Sequence, residues 1–506
     1  MKQIVLIFSV ILFYLSSFAQ QGFVFTHESE KSVMTMDVVE TADGDFLLLN
    51  RLRTNELSFL EDTRIVKISK EGFLLDEISL NFQDSIAIIT DLIPNPDNPN
   101  YYLALGIVGV NNNICNRLMV AQIDADLQII SRHTIAIPQI ETISGFIRFI
   151  VHSENNIVVA SNSGAQANLS PSFCARITVH GELKKMVFNN ANKRSFLGAF
   201  FVLDDGANPR YGLMQSVTAS SGGVALGVYE IDSNLNSSFL TEIPNFHEGE
   251  TGEDYHAIGF YPYEQTVKPF LNETLLISLQ VSESWGLSIN DRSTMVFQVE
   301  KDFVFNKDKS IIFTNKNDTV EFPATFQSID FIDPNQVFHA FSSNMFPQYM
   351  PCQSFPSYFV ISKLNSDLEV QWTRYVGGDA FYYSMYLLAT KDGGCVVVGS
   401  RYNYNYQCKH DMFVIKLNSE GLIGLDEEPE LVQEMVAYPN PFHDRVQLLL
   451  PPNTCRVSVY NSNGMLIKTG NGNCNELFLG DVPAGLYIVT AQTAEGKVYI
   501  QKVVKE

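Results

Sequence analysis

Apolar and polar residues alternate in short runs along most of the chain, and a turn signal breaks each run before it reaches helix length. The clearest stretch is Val38-Val39-Glu40-Thr41-Ala42-Asp43-Gly44-Asp45-Phe46-Leu47-Leu48-Leu49, which reads as strand, tight turn, strand. Asp-Gly suits that turn because both residues tolerate the backbone a hairpin needs. A third strand at 64–68 and a second turn ending at Gly72 follow. The same order returns near the other end, with strands at 387–390 and 395–399 around Asp392-Gly393, then a strand at 412–417 and a turn ending at Gly421. Weaker copies of the third strand stand at 118–123, 174–179, 225–231, 295–299 and 359–364, each followed by a polar turn. Together they make about seven units, spaced roughly 53 to 68 residues apart.

Four short strands per unit and no long helical pattern predict an all-β chain, with a β-propeller of about seven blades over residues 20–424. A single blade cannot bury both of its faces, so neighbours stacked around an axis must supply the core. An array of β-sandwiches would use similar strands, but the continuous spacing without linkers favours the propeller. Phe23-Val24-Phe25-Thr26 is similar to Val370-Gln371-Trp372-Thr373, which precedes the last unit as an outer strand. The first strand is therefore expected to complete the last blade. Carried by Asp43, Gly44, Lys67, Gly72, Asp392, Gly393, Lys416 and Gly421, the units resemble the degenerate propeller-like repeats of type IX secretion cargo.

After an acidic linker at 425–435, the pattern changes to that of a small C-terminal immunoglobulin-like β-sandwich over 436–506. It holds Tyr438-Pro439-Asn440-Pro441-Phe442, a strand at 446–450, Arg456-Val457-Ser458-Val459-Tyr460-Asn461, Gly464, Ala484-Gly485-Leu486-Tyr487-Ile488-Val489 and Lys502-Val503-Val504-Lys505. This pattern resembles the C-terminal sorting domain of type IX cargo, Bacteroidetes type, with Tyr438, Pro439, Asn440, Pro441, Phe442, Gly464, Gly485, Tyr487 and Lys502 as the motif residues. The resemblance implies a translocon in the outer membrane as partner. An accessory sandwich module is the plainer alternative, because such a fold by itself implies no function.

The amino end adds to that expectation. Lys2, an apolar run at 4–15 and Ser17-Phe18-Ala19 read as a signal peptide over 1–19, cleaved after Ala19. The run is short for a membrane span, and no transmembrane segment is expected elsewhere. A secreted or outer-surface protein that passes through the periplasm follows. The net charge of -22 argues against nucleic acid and anionic membranes as partners. Seven Cys in an exported chain allow bridges, and Cys395 with Cys408, or Cys455 with Cys474, are candidate pairs. Asp84-Ser85-Ile86 and Asp318-Thr319-Val320 match a short pattern resembling the O-glycosylation site of this bacterial group.

Candidate chemistry is sparse. No metalloprotease, nucleophile-elbow, phosphate-loop or paired-Cys motif occurs, so no catalytic residues and no cofactor are assigned. One segment, from Phe246 to His256, concentrates His247, Glu250, Glu253 and His256, donors suited to a divalent cation. Its ordinary alternative is a solvated acidic connection. Long loops are expected on one face, and Trp285, Phe346, Tyr349, Tyr402, Tyr404 and Tyr406 lie on them. Aromatics on such loops suit an extracellular glycan or protein ligand, or pack on neighbouring loops. A surface binding protein is thus the leading expectation. A divergent propeller hydrolase would be favoured by carboxylates in the central channel, and a structural adhesion component by the lack of any shared pocket.

Overall fold

The computed structural model describes residues 22–423 and 436–506, apart from 56–59, 82–84, 112–113, 141, 164–171, 190–196, 219–223, 244–245, 248–253, 258–264, 283–291, 304, 314–319, 345–355, 405–406, 439–440, 451–453, 462–464, 473–475 and 494–497. The chain divides into two compact units, Met1–Gly424 and Leu425–Glu506.

Among the described residues, the first unit is built from seven antiparallel sheets that follow one another along the chain. Blade 1 comprises Ser32–Glu40, Phe46–Arg53, Leu60–Ile68 and Leu74–Ser79, in that order from the inside outward. Blades 2, 3 and 4 repeat this meander from Ile86–Pro94, Ile143–Ser153 and Leu197–Asp204 as inner strands. In blade 5 the inner strand is Thr266–Pro269, and Phe246–His247 and Asp254–Ala257 extend the sheet. Blade 6 has two short inner pieces, Phe322–Pro323 and Ile329–Asp330. Blade 7 runs Phe381–Ala389, Cys395–Tyr402, Asp411–Leu417. Each inner strand touches the inner strand of the next blade, and that of blade 7 touches that of blade 1, so the sheets form a closed β-propeller.

The chain closes its own ring. Phe23–His27 pairs antiparallel with Asp411–Leu417 as the outer strand of blade 7, with Phe23 opposite Lys416 and His27 opposite Met412. Trp372 stands opposite Lys363 in blade 6, so Phe23 holds the place of Trp372, two residues from the alignment the sequence suggested. Both rings do the same work. Each covers a turn glycine of the following blade: Phe23 lies over Gly72 and Trp372 over Gly421, where an added Cβ would come within about 3 Å of the ring. Gly72, Gly181 and Gly421 have φ of 77–85°, which glycine adopts without a Cβ penalty. The matching turns elsewhere hold Leu127, Leu235, Phe303 and Leu368, also at positive φ and all buried. These side chains fill from within the space that an aromatic ring fills over glycine.

The repeat signature has a structural role as well. Lys416, fully buried, places its Nζ 2.7 Å from the Asp392 carboxylate and donates to the Leu417 carbonyl. Lys67 reaches Asp45 of its own blade at 3.6 Å and Asp126 of the next at 3.5 Å. In blade 7 the signature aspartate and lysine thus tie the hairpin to the strand beside it, and in blade 1 Asp45, two residues past the signature Asp43, takes the aspartate's part. Cys395 is a free thiol in the core between blades 6 and 7, and burial pushes it up to about 12. Its proposed bridge to Cys408 does not form, because the extended strand from Cys395 to Tyr402 carries the chain some 20 Å away. Cys408 is disulfide-bonded, whereas Cys455 is free and exposed, so the Cys455–Cys474 pairing is absent too.

The second unit is a sandwich of two sheets. One is ordered Val436–Tyr438, Arg445–Leu449, Glu476–Phe478, and the other Leu466–Asn471, Thr454–Asn461, Gly485–Thr493, Val498–Lys505. Val446, Val457, Val459, Val489 and Val503 are among the buried residues between them.

Candidate functional site

The inner strands of the propeller are irregular where they face the axis. Register slips between Thr35 and Asp37, between Ile89 and Asp91, and between Ser384 and Tyr386 insert one extra residue in blades 1, 2 and 7. A bulge of this kind re-aims the side chain that follows it. The three residues so placed, Asp37, Asp91 and Tyr386, occupy equivalent positions, each three residues before its strand's last pair. All three line one cavity of about 270 Å³, together with Arg148 of blade 3, Phe200 of blade 4, Lys268 of blade 5 and Gln327 of blade 6. Every blade therefore contributes to the central channel.

Asp37 is held by backbone N–H groups on both oxygens, from Val38 and Leu92, each at 2.7 Å. The Tyr386 hydroxyl donates to it as well. Burial still raises the Asp37 carboxyl well above the usual carboxylate range, with Asp91 adding to the rise. Burial pushes Asp91 up to about 6, opposed by the charge of Arg148, the Thr90 hydroxyl and the charge of Arg51. Tyr386 is raised well above an ordinary phenol, first by burial and then by Asp37. The Arg148 guanidinium lies over the Phe326 ring at 5.6 Å, and Lys268 sits 3.3 Å from Asp330. Gln265, 3% exposed, is among the lining residues, with its Oε1 buried beside Gly198 and without a partner among the described residues. Chemically, the channel offers two guarded carboxyls, a phenol and two cations within reach of one small polar ligand.

Sequence reasoning missed these residues, although a signal existed. Asp37 and Asp91 each interrupt an apolar strand, in Met34-Thr35-Met36-Asp37-Val38-Val39 and Ile88-Ile89-Thr90-Asp91-Leu92-Ile93. A charge in mid-strand of a buried inner strand calls for a partner or a ligand.

The residues singled out from sequence fare differently. Glu250 and Glu253 lie outside the described residues, while His247 and His256 fall on two paired strands, opposite Asp254 and Ser282 respectively. Among the described residues, no group of three or more His, Cys, Asp or Glu could hold a metal. Trp285, Phe346, Tyr349 and Tyr406 are also outside the described residues. Tyr402 is buried rather than displayed, stacked on His410 and packed edge-on against the half-buried Tyr404. Burial in the apolar cluster with Val320, Phe322 and Phe381 removes it from a ligand-binding surface.

In the second unit, Phe442 is 1% exposed, donates its N–H to Val504 and accepts from Glu506. The Pro-Phe turn is thereby stitched to the last strand. The Lys505 ammonium donates to the carbonyls of Leu479, Gly480 and Val482, and Lys502 is exposed. Tyr487 is buried with its hydroxyl on the Pro483 carbonyl, and Gly485 has a φ of 150°. Tyr438 ends a strand opposite Gln447, and Pro441 is exposed, while Pro439, Asn440 and Gly464 are outside the described residues. Residues 436–506 match the family described as "Secretion system C-terminal sorting domain". The chain is type IX secretion cargo. This sorting domain implies engagement with the type IX machinery and export out of the cell.

A search among curated proteins finds no match to this cargo chain. Solved structures resemble it only distantly. A protein of unknown function from Dyadobacter fermentans DSM 18053 is 10% identical, with 78% of this chain and 97% of that one covered and a TM-score of 0.40. A polysaccharide lyase, PL25 ulvan lyase, is 9% identical over 79% and 97%, with a TM-score of 0.45. The phage phi92 endosialidase is 9% identical over 96% and 87%, with a TM-score of 0.40. Likenesses at this distance say nothing of function. Among the described residues, no helix is long and apolar enough to cross a membrane.

Proposed function

We propose that the protein is an exported binding protein, released or kept at the outer cell surface, whose propeller takes a glycan ligand at its central channel. It travels through the periplasm, and its sorting domain is read by the translocon. The reading rests on one observation: bulged inner strands converge Asp37, Asp91 and Tyr386 on a cavity that Arg148, Lys268 and Gln327 also line. Polar groups converging in an otherwise apolar pocket are the usual mark of a ligand site. A glycan array probed with the full exported chain should give a small set of hits that Arg148→Met removes. A blank array with folded protein overturns the proposal.

A second reading, a divergent propeller hydrolase, is favoured by the two carboxyls in one channel. One near pH 6 is suited to proton transfer at neutral pH. New reducing ends released from an array hit, and not released by Asp91→Asn, would support it.

A further inference from the structure

The channel pairs its charges in a way that bears on the ligand. Asp37 has both oxygens engaged by backbone N–H groups, and Lys268 is matched by Asp330. Asp91 feels two guanidiniums, Arg51 from the second strand of blade 1 and Arg148 from the inner strand of blade 3. Of these, Arg148 lines the cavity, and the Arg51 guanidinium donates to the Ile89 carbonyl. Facing Asp91 from the remaining elements are Asp37 and Tyr386, with Thr90 donating from beside it. Phe200 and Phe326 supply flat apolar walls, and Thr90 and Gln327 add polar side chains to the lining.

We propose that the channel binds a carboxylate-bearing sugar, a uronate, with the ligand's carboxylate taking Arg148 and displacing Asp91, which takes up a proton as the ligand enters. This rests on the channel being the binding site. The aromatic walls hold the ring face, and hydroxyls meet Gln327. The ligand carboxylate pairs with Arg148 as a planar guanidinium prefers. Asp91, deprived of that cation in a buried site, is neutral in the complex. The proton comes from solvent, so charge in the channel is conserved: one carboxylate replaces another.

Calorimetry on the full exported chain tests this with sodium glucuronate, glucose and acetate, in buffers of different ionisation enthalpy. Glucuronate should bind at least tenfold more tightly than glucose or acetate. Binding should weaken by up to about tenfold per pH unit above 6, with a fraction of a proton taken up per ligand at pH 7 and little at pH 5. Asp91→Asn should abolish the uptake while binding persists, and Arg148→Met should abolish the preference over glucose, with a single cooperative melting transition and an unchanged far-UV spectrum showing both variants folded. Glucose binding as tightly as glucuronate would overturn the uronate and leave the channel as a neutral-glycan site. Acetate binding as tightly would show a bare anion site and overturn the sugar. Uptake that survives in Asp91→Asn, or no binding of glucuronate, overturns the proposal. If the array is also blank, the channel reading falls with it.

Discussion

Asp91 costs the fold something at neutral pH. Burial lifts its carboxyl from 3.8 to about 6, so the folded chain holds that proton more tightly than the unfolded chain does. Its contribution is therefore whole below about pH 4 and lost as pH rises through 6. Two units correspond to about 3 kcal/mol. His339 works with the opposite sign: burial lowers it to about 3, so its contribution is whole above pH 6.5 and fades as pH falls. Asp91→Asn isolates the first effect, and should shrink the stability difference between pH 4 and pH 7 by about 2–3 kcal/mol in urea titrations. An unchanged difference would mean that the carboxyl stays solvated. Such residues were hard to read from sequence because single substitutions hide a shared geometry. Gly72 and Gly421 marked their turns plainly, whereas Leu127, Leu235, Phe303 and Leu368 adopt the same handed turn without announcing it. Packing between blades overrides the ordinary preference for glycine there. The outer units could be recognised and the inner ones appeared decayed for this reason.

Strands, rather than loops, were the legible elements. All five weak third strands named from sequence occur as third strands of blades 2 to 6. Of the long loops expected on one face, the one between the second and third strands of blade 2 is short, since Tyr101–Asn111 and Ile114–Asp124 leave only two residues between them. Gly106 lets the Ile88 carbonyl approach where a Cβ would stand. The closing strand was legible as an element, while its register was not. Phe23 packs with Phe46, Val396 and Val414 in the cluster joining blades 7 and 1, and its ring centroid is 6.0 Å from that of Phe46. Removing residues 20–27 should cost several kcal/mol, because one large buried side chain alone contributes about 1.5–3 kcal/mol and a strand edge is left open. Thermal unfolding should show the main propeller transition lowered, with aggregation. A main transition at its original temperature would show that the ring does not depend on this strand.

At the scale of the whole molecule, two compact units divide the work. Deleting residues 438–506 should leave a folded propeller retained in the periplasm, seen by cell fractionation and by protection from external protease. Undiminished surface exposure of the truncated protein would refute a separate sorting signal. The pairing of residue 23 with residue 416 also sets an order of events in time. Synthesis must deliver nearly the whole propeller before its first strand has a partner, so the ring stays unlatched while the chain is being made. With a leader cleaved after Ala19, the closing strand would start only a few residues from the new amino end. Until residues 23–27 reach it, blade 7 lacks its outer strand, so the last step in closing the ring waits for nearly the whole propeller to be made.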